Sequence, residues 1–471
     1  MTNTLVIDQG THASRAILYS SSGELIDQTE EPVHLNQIDH EHIEQDSQQI
    51  LQSIDHCITA LLARNTTTIH QAALTTQRST VLAWQKHDGQ PLSPALSWQD
   101  RRSARDLEQF LPTEDLIKQI TGLPLSPHYG VGKLRWLLQQ NHIQQQTSES
   151  DNLCIGPLVS YLLQHLLPGS PHLVDHSNAH RTLLFDIEKL DWSKRLLKLF
   201  EIPAHHLPQP KPMQGDWGRL QGSSIPLKVV SGDQNAALHA QGPTPDGVAT
   251  VNIGTGAFIL MPQHSFHRHT TALLQGISKS NTESCQYLLE GTVNGAGSAL
   301  SWAQEKWPIE DLFKRLDGWM DETHTPPLFI NTVGGVGSPW WRTGPEPYFS
   351  GPKQISVESR YVAIIESIVF LLQHNIEQLK QLQELKTIRI SGGLSQLNGV
   401  CQKLANLSGV EIIRFCEKEA TARGAAWLAS DCPENWRAAP PERHFYPTAK
   451  LDLKKRYQSF TQEIQAICTP P

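Results

Sequence analysis

Two short strand-like runs, each ending in a glycine–threonine turn and set half a chain apart, constrain this sequence more than any other feature. Thr4-Leu5-Val6-Ile7 stops at Asp8-Gln9-Gly10-Thr11 and resumes as Ala16-Ile17-Leu18-Tyr19 before a Ser22-Gly23-Glu24 turn. About 240 residues later Ala249-Thr250-Val251-Asn252-Ile253 runs into Gly254-Thr255-Gly256 and continues as Ala257-Phe258-Ile259-Leu260. Each reads as a β-hairpin whose polar, glycine-bearing loop presents backbone N–H groups. The repeat predicts two homologous halves with these loops facing a shared cleft. Coincidence is the competing explanation, because Gly-Thr after a strand is common, so the neighbouring motifs must decide.

The chain has the material for two large domains: 471 residues, 38% apolar and 18% charged, with 12 tryptophans. A net charge of -8 and no dense Lys/Arg block argue against a nucleic-acid partner. No stretch approaches the roughly 20 apolar residues that cross a bilayer, and residues 1–10 lack a secretory pattern. The expectation is a cytoplasmic protein with no membrane partner. The seven cysteines (Cys57, Cys154, Cys285, Cys401, Cys416, Cys432, Cys468) are scattered and never spaced C-x-x-C, which reads as reduced thiols. His40/His42 and His205/His206 lack further ligands at zinc-site spacing.

Residues 46–62 place Ile50, Leu51, Ile54, Ile58, Leu61 and Leu62 at helical spacing, and Ala72-Ala73-Leu74-Thr75 follows as a strand. Residues 139–151 are polar and glutamine-rich and read as a surface loop; residues 203–212, with four prolines, read as irregular. Residues 360–382 are a long helical pattern, Thr387-Ile388-Arg389-Ile390 a strand ending in Ser391-Gly392-Gly393, and new helices begin near Asn398 and over 420–429. Alternating strands and helices predict α/β architecture. The hinge is expected near Gly242-Pro243-Thr244-Pro245, dividing residues 1–242 from 243–471.

Phosphoryl transfer needs backbone donors around the phosphates, a metal to neutralise charge and an acceptor for the attacking hydroxyl's proton. Each has a candidate. Asp8, at a strand end, is a hard oxygen ligand suited to Mg²⁺, and Gly10 and Thr11 face where phosphate oxygens would lie. Asp233 lies in Ser231-Gly232-Asp233-Gln234, where the strand Leu227-Lys228-Val229-Val230 gives way to a helix of small residues. A helix cap is the plainer use of an Asp there. Gly295-Ala296-Gly297-Ser298 opens a helix ending near Trp302, suited either to an anion or to close helix packing. Trp98 offers a flat apolar wall with one N–H donor, or a core side chain; Asp100 and Arg101 follow it as cleft-lining groups or an ion pair.

These motifs, in order from Leu5 to about Ala429, resemble the FGGY carbohydrate kinases, and most nearly their glycerol kinases. The quoted segments are Asp8-Gln9-Gly10-Thr11, Gln77-Arg78, Trp98-Gln99-Asp100-Arg101-Arg102, Gly232-Asp233-Gln234, Gly254-Thr255-Gly256 and Gly392-Gly393. The resemblance implies two actin-like (ribonuclease-H-like) domains around a cleft, the acceptor held mainly by the N-terminal domain and ATP by the C-terminal one. It makes Asp233 the general base and Asp8 the Mg²⁺-associated carboxylate. Thr11, Arg15, Gly254, Thr255, Gly297, Gly392, Gly393 and Asn398 become ATP-side residues. Arg78, Trp98, Asp100, Gln234 and Phe258 border the acceptor.

The departures concern the acceptor more than the reaction. Glycerol kinases follow the arginine with a glutamate where this chain has Ser79, and a tyrosine of the glycerol site falls on His128, with Tyr129 adjacent. His12-Ala13 replace hydroxyl side chains, and Leu397 stands where an asparagine is usual, with Asn398 next to it. The expected substrate is a three- to five-carbon polyol or ketose, with a homodimer or tetramer as the assembly states left open. The competing function is an ATP- and sugar-gated actin-like binding or regulatory protein without useful turnover. A chaperone-like or filament-forming ATPase is a third reading, opposed by the Trp98 segment and the Gly-Asp-Gln.

Overall fold

The first hairpin forms from Asn3–Gln9 (β1) and Ala13–Tyr19 (β2), antiparallel strands whose register sets Asp8 opposite Arg15. The structure is a computed structural model and describes residues 2–149, 152–267, 272–323, 325–351, 354–415, 419–434, 436 and 440–468. Leu25–Pro32 (β3) adds to β2. Ser47–Arg64 (α1) is capped by Asp46, which accepts from the Gln48 and Gln49 N–H groups, and turns Ile50, Ile54 and Leu61 into the core. Ile69–Thr76 (β4) lies parallel to β1, and Leu227–Gly232 (β5) parallel to β4, giving the order β5-β4-β1-β2-β3. Parallel neighbours require a crossover connection. The long one between β4 and β5 contributes much of a smaller second sheet and a helical layer with its own apolar core.

After a short helix, Asp233–Ala237 (α2), the device repeats. Val248–Ile253 (β6) and Ala257–Gln263 (β7) form the second hairpin; Leu274–Ser280 (β8) and Cys285–Val293 (β9) extend the sheet beyond β7. Gly297–Lys306 (α3) and Val357–Leu382 (α4) follow. Thr387–Ser391 (β10) joins β6 in parallel, Asn398–Ser408 (α5) connects it to Glu411–Phe415 (β11), and the order is β8-β9-β7-β6-β10-β11 with Pro441–Phe445 (β12) at the far edge. Each half thus has a hairpin, an antiparallel strand beyond its second member and two parallel strands beyond its first.

Ala420–Ala429 (α6) leaves the second half and packs on the first sheet. Its Ala422, Ala425 and Ala426 join Val6, Ala73, Val229 and Ala236 in one buried cluster. Small side chains permit this closeness: a Cβ on Gly424 would fall on the Ala236 carbonyl oxygen.

Three sequence expectations are corrected. Residues 141–149 of the expected surface loop are a helix, Asn141–Glu149, while residues 150 and 151 lie outside the described residues. Glutamine is a good helix former, and fully buried Ile143 anchors the segment. The proline-rich stretch contains a 3₁₀ turn, Ala204–His206, and a strand, Gln209–Lys211, parallel to Leu173–Asp175. Helix α3 runs past Trp302 to Lys306. The described cysteines are free thiols; Cys416 lies outside the described residues.

Candidate active site

The loop after β1 carries its chemistry in side chains. Asp8 is 5% exposed and accepts a 2.7 Å hydrogen bond from Thr75 Oγ1 on β4, while Arg15 Nη1 stands 3.7 Å from its other oxygen. Burial pushes the Asp8 carboxyl up to about 6, and Asp233 and Glu419 add repulsion. Arg15 also binds Glu30 at 2.5 Å. Thr11 gives its carbonyl to Gln45 Nε2 (2.8 Å) and its hydroxyl to the Trp98 indole N–H (3.0 Å). Trp98 is part-buried, and this hydrogen bond couples its indole to the first loop.

The loop after β6 is built from backbone. Gly254 and Thr255 are exposed, and Gly254 N–H closes the turn on the Gly256 carbonyl at 2.9 Å. The start of α3 abuts this turn, with Gly297 N–H donating to the Gly254 carbonyl (2.9 Å) and Ser298 N–H to that of Thr255 (3.0 Å). A Cβ on Gly297 would meet that Gly254 oxygen at 2.7 Å, so Gly297 holds the loop by close packing and its N–H is already spent. Gly392, at φ +93°, passes the end of β6 so tightly that a Cβ would lie 2.5 Å from the Ile253 carbonyl oxygen, whereas Gly393 faces open space. Leu397 is core, and the N–H groups of Asn398 and Gly399 bind the Asp317 carboxylate. Asn398 Oδ1 is buried without a partner, a polar atom still to be satisfied beside the Gly392-Gly393 turn.

Asp233 heads α2, its carboxylate accepting from Gln234 N–H at 2.7 Å and lying 3.6 Å from Arg78 Nε. Gly232 serves as N-cap, and a Cβ there would strike the Arg78 stem at 2.6 Å, so the glycine before the aspartate makes room for the arginine. Burial pushes the Asp233 carboxyl above its ordinary range against the pull of Arg78. Arg78 Nη1 donates to Asn235 Oδ1 (3.1 Å) and stands 3.7 Å from Glu290 on β9. Ser79 follows with φ +65° and a buried, unpartnered hydroxyl. Phe258 and Gln234 are part-buried.

His128 stacks edge-on with Trp98 at 5.7 Å and Tyr129 at 5.1 Å. Burial, and then Arg101, Lys133, Arg181 and Arg78, hold its imidazole well below the usual range. Asp100 is fully buried and spends its oxygens on the Ile43 and Arg102 N–H groups and the Arg102 guanidinium, which also reaches Glu44. That makes it the brace of the Trp98–Arg102 turn.

Three buried charges escaped the sequence reading. Arg181 donates to Glu290, joining the two halves, and Lys133 Nζ donates to the Ser97 (3.0 Å) and His128 (3.1 Å) carbonyls. Burial acts to raise Glu290, but Arg181 and Arg78 hold its carboxyl below the ordinary value. An acid inside the apolar run Leu288-Leu289-Glu290 and a lysine inside Gly130–Leu138 were the available signals, since such charges are rarely buried unpaired.

Twin sheets with paired hairpins around these carboxylates define a two-domain actin-like phosphotransferase. The N-terminal domain of the FGGY family of carbohydrate kinases matches residues 3–227 and its C-terminal domain residues 249–430, and the chain belongs to that family. A glycerol kinase of Citrifermentans bemidjiense is 33% identical over 440 residues, 90% of this chain and 89% of the relative. One of Geobacter sp. (strain M21) is 32% identical over the same span and coverage. The fold matches a Plasmodium falciparum glycerol kinase solved with ADP (TM-score 0.90, 24% identity, 100% and 99% of the chains). It also matches a Rhodospirillum rubrum xylulose kinase (TM-score 0.86, 16% identity, 98% of each). The protein is a carbohydrate kinase that uses ATP and takes a small sugar or polyol. Among the described residues no helix is long and apolar enough to cross a membrane.

Proposed function

We propose that the chain phosphorylates a hydroxyl of a small polyol or C4–C5 ketose, with Asp233 as general base. The observation that carries this is the placement of Asp233 beside Arg78 and within the electrostatic reach of Asp8. A carboxyl raised above its ordinary value is a stronger base than a free carboxylate, as suits a proton acceptor. The acceptor oxygen bonds to the γ-phosphorus as its proton passes to Asp233; the β,γ P–O bond breaks, ADP departs, and Asp233 returns the proton to solvent. Arg78, Gln234, Trp98, His128 and Phe258 orient the acceptor. Thr11, Arg15 and the turns at Gly254-Thr255 and Gly392-Gly393 hold the nucleotide, and Asn398 Oδ1 offers an acceptor for it.

The residues fit Mg²⁺. Asp8 is a hard oxygen donor, as suits an ion bound through one or two carboxylates, phosphates and water. Bound there, it would neutralise phosphate charge.

A coupled ADP-release assay over glycerol, erythritol, ribulose and xylulose tests the reading. Acceptor-stimulated ADP release is expected, and Asp233→Ala should lose about 10²- to 10⁴-fold in turnover while still binding nucleotide. Near-normal turnover in that variant would remove Asp233 from the mechanism; no acceptor stimulation at all would favour the non-catalytic clamp.

A further inference from the structure

A small cavity between the two halves is lined by polar atoms that the fold leaves without partners. Leu238 and Gln241 border it just after α2, where the chain first passes from one half to the other, and Ala420 borders it at the start of α6, where the chain returns. The second sheet supplies Thr250 on β6, Arg389 on β10 and Phe415 at the end of β11. Alternation along these strands sends Val251, Ile388 and Ile390 into the core of the second half. Thr250 and Arg389 are register partners in the parallel pair, so they stand side by side on the opposite face, toward the cavity.

Thr250 Oγ1, Arg389 Nη1 and Gln241 Oε1 are each buried without a hydrogen-bond partner. Buried polar atoms are normally paired, so three of them on one cavity of about 30 Å³ mark a place for a guest that bonds them. One water needs about 10–15 Å³ and would fit, but it would leave the charge of Arg389 standing. Burial draws that guanidinium below its ordinary value, and no carboxylate among the described residues offsets it. Its recorded neighbour is the Phe415 ring, 6.0 Å away. Nearby arginines are already spent: Arg414 pairs with Glu442 at 2.8 Å, and Arg423 donates to the Ala240 (2.9 Å) and Gly23 (2.7 Å) carbonyls.

A buried cation without counter-charge is costly, and an anion in the cavity removes that cost. The set also offers two donors, Arg389 and Thr250, and one acceptor, Gln241. A halide or sulfate only accepts; an oxyanion that keeps one O–H both accepts and donates. We propose that this cavity binds a small oxyanion carrying one O–H, of the bicarbonate or hydrogenphosphate type, with Arg389 and Thr250 donating to its oxygens and its own O–H donating to Gln241. Because the walls come from both chain crossings, the occupied site ties the crossings together and stabilises the folded chain. The site stands apart from the acceptor and the reacting carboxylates, and it does not depend on the substrate assignment.

Thermal unfolding tests it, in bicarbonate, phosphate, sulfate or chloride at equal ionic strength and mildly alkaline pH. Bicarbonate or phosphate should raise the wild-type melting temperature by about 2 °C or more beyond sulfate and chloride. Arg389→Met and Thr250→Val should lose that margin, and saturating ADP should leave it in place. The larger of the bicarbonate and phosphate shifts identifies the ion. Equal margins in wild type and both variants would overturn the site. Sulfate or chloride matching the hydroxylated anions would overturn the O–H assignment. Loss of the margin with ADP would move the ion to the nucleotide cleft and overturn the cavity assignment. If Arg389→Met does not fold, Thr250→Val and Gln241→Leu carry the comparison.

Discussion

The two cleft-facing hairpins share a topology and divide the work differently. In the first, β1 to β2, buried Asp8 and part-buried Arg15 meet across the strands, and Thr11 is tied by its hydroxyl to Trp98. In the second, β6 to β7, the turn is exposed, carries no charge and is held through carbonyls by the first residues of α3. The same backbone device can thus supply either specific side chains or a row of peptide groups. A side-chain change should cost much in the first loop and little in the second.

The largest expected effect is at Asp8. Asp8→Asn should reduce kcat/KM by about 10²- to 10³-fold, as for loss of one preorganised electrostatic group. It should also stabilise the ligand-free protein. A carboxyl raised to about 6 from 3.8 binds its proton more tightly when folded. The stability it contributes is therefore full below about 3.8 and lost as pH rises through about 6. By neutral pH the loss approaches about 3 kcal/mol. Thermal melts should show the variant gaining on the wild type between pH 4 and 6.5. A variant that melts lower throughout would show that the Thr75 hydrogen bond outweighs the burial of charge. Under the proposed function, which needs Asp8 ionised, wild-type activity should fall on acidification toward about pH 6 in a pH–rate profile.

Gly392→Ala should come next, on stability. Its φ of +93° and a Cβ 2.5 Å from the Ile253 carbonyl oxygen leave no room for a methyl, so a loss of about 2 kcal/mol or more is expected in urea unfolding. Trp98→Phe keeps the ring and removes the hydrogen bond to Thr11. A loss of about 1 kcal/mol, near fivefold, should appear in the KM for acceptor and for ATP together under the proposed function, which sets Trp98 beside the acceptor and Thr11 beside the nucleotide. An effect on only one KM would break the link between them. Thr255→Val should be smallest, within about 0.5 kcal/mol in stability and a few-fold in rate, since Thr255 contributes its carbonyl to α3 while its residue lies exposed. If it costs as much as Asp8→Asn, the two loops do not differ as described.

Much of this was legible in advance. Both hairpins, the helix of residues 420–429 and the strand before Gly392 formed where periodicity and glycine placed them, because hydrogen bonds between near neighbours and turn chemistry are local. The glutamine-rich stretch misled because polarity was read as loop, while one buried Ile143 and good helix formers were enough for a helix. Asp100 carried a cleft-lining motif yet proved a brace, since only the fold brings the Ile43 N–H to it.

By itself the sequence determined the α/β class, the repeated hairpin and the family, features written in short segments whose spacing survives without coordinates. Tertiary structure alone decided that Glu290 of the second half pairs with Arg181 of the first, that α6 returns to the first sheet, and that the Ser79 hydroxyl and Arg101 Nη1 are buried without partners. The reason is physical: which buried charge finds a partner depends on residues 109 positions apart along the chain, and no local pattern records such a meeting.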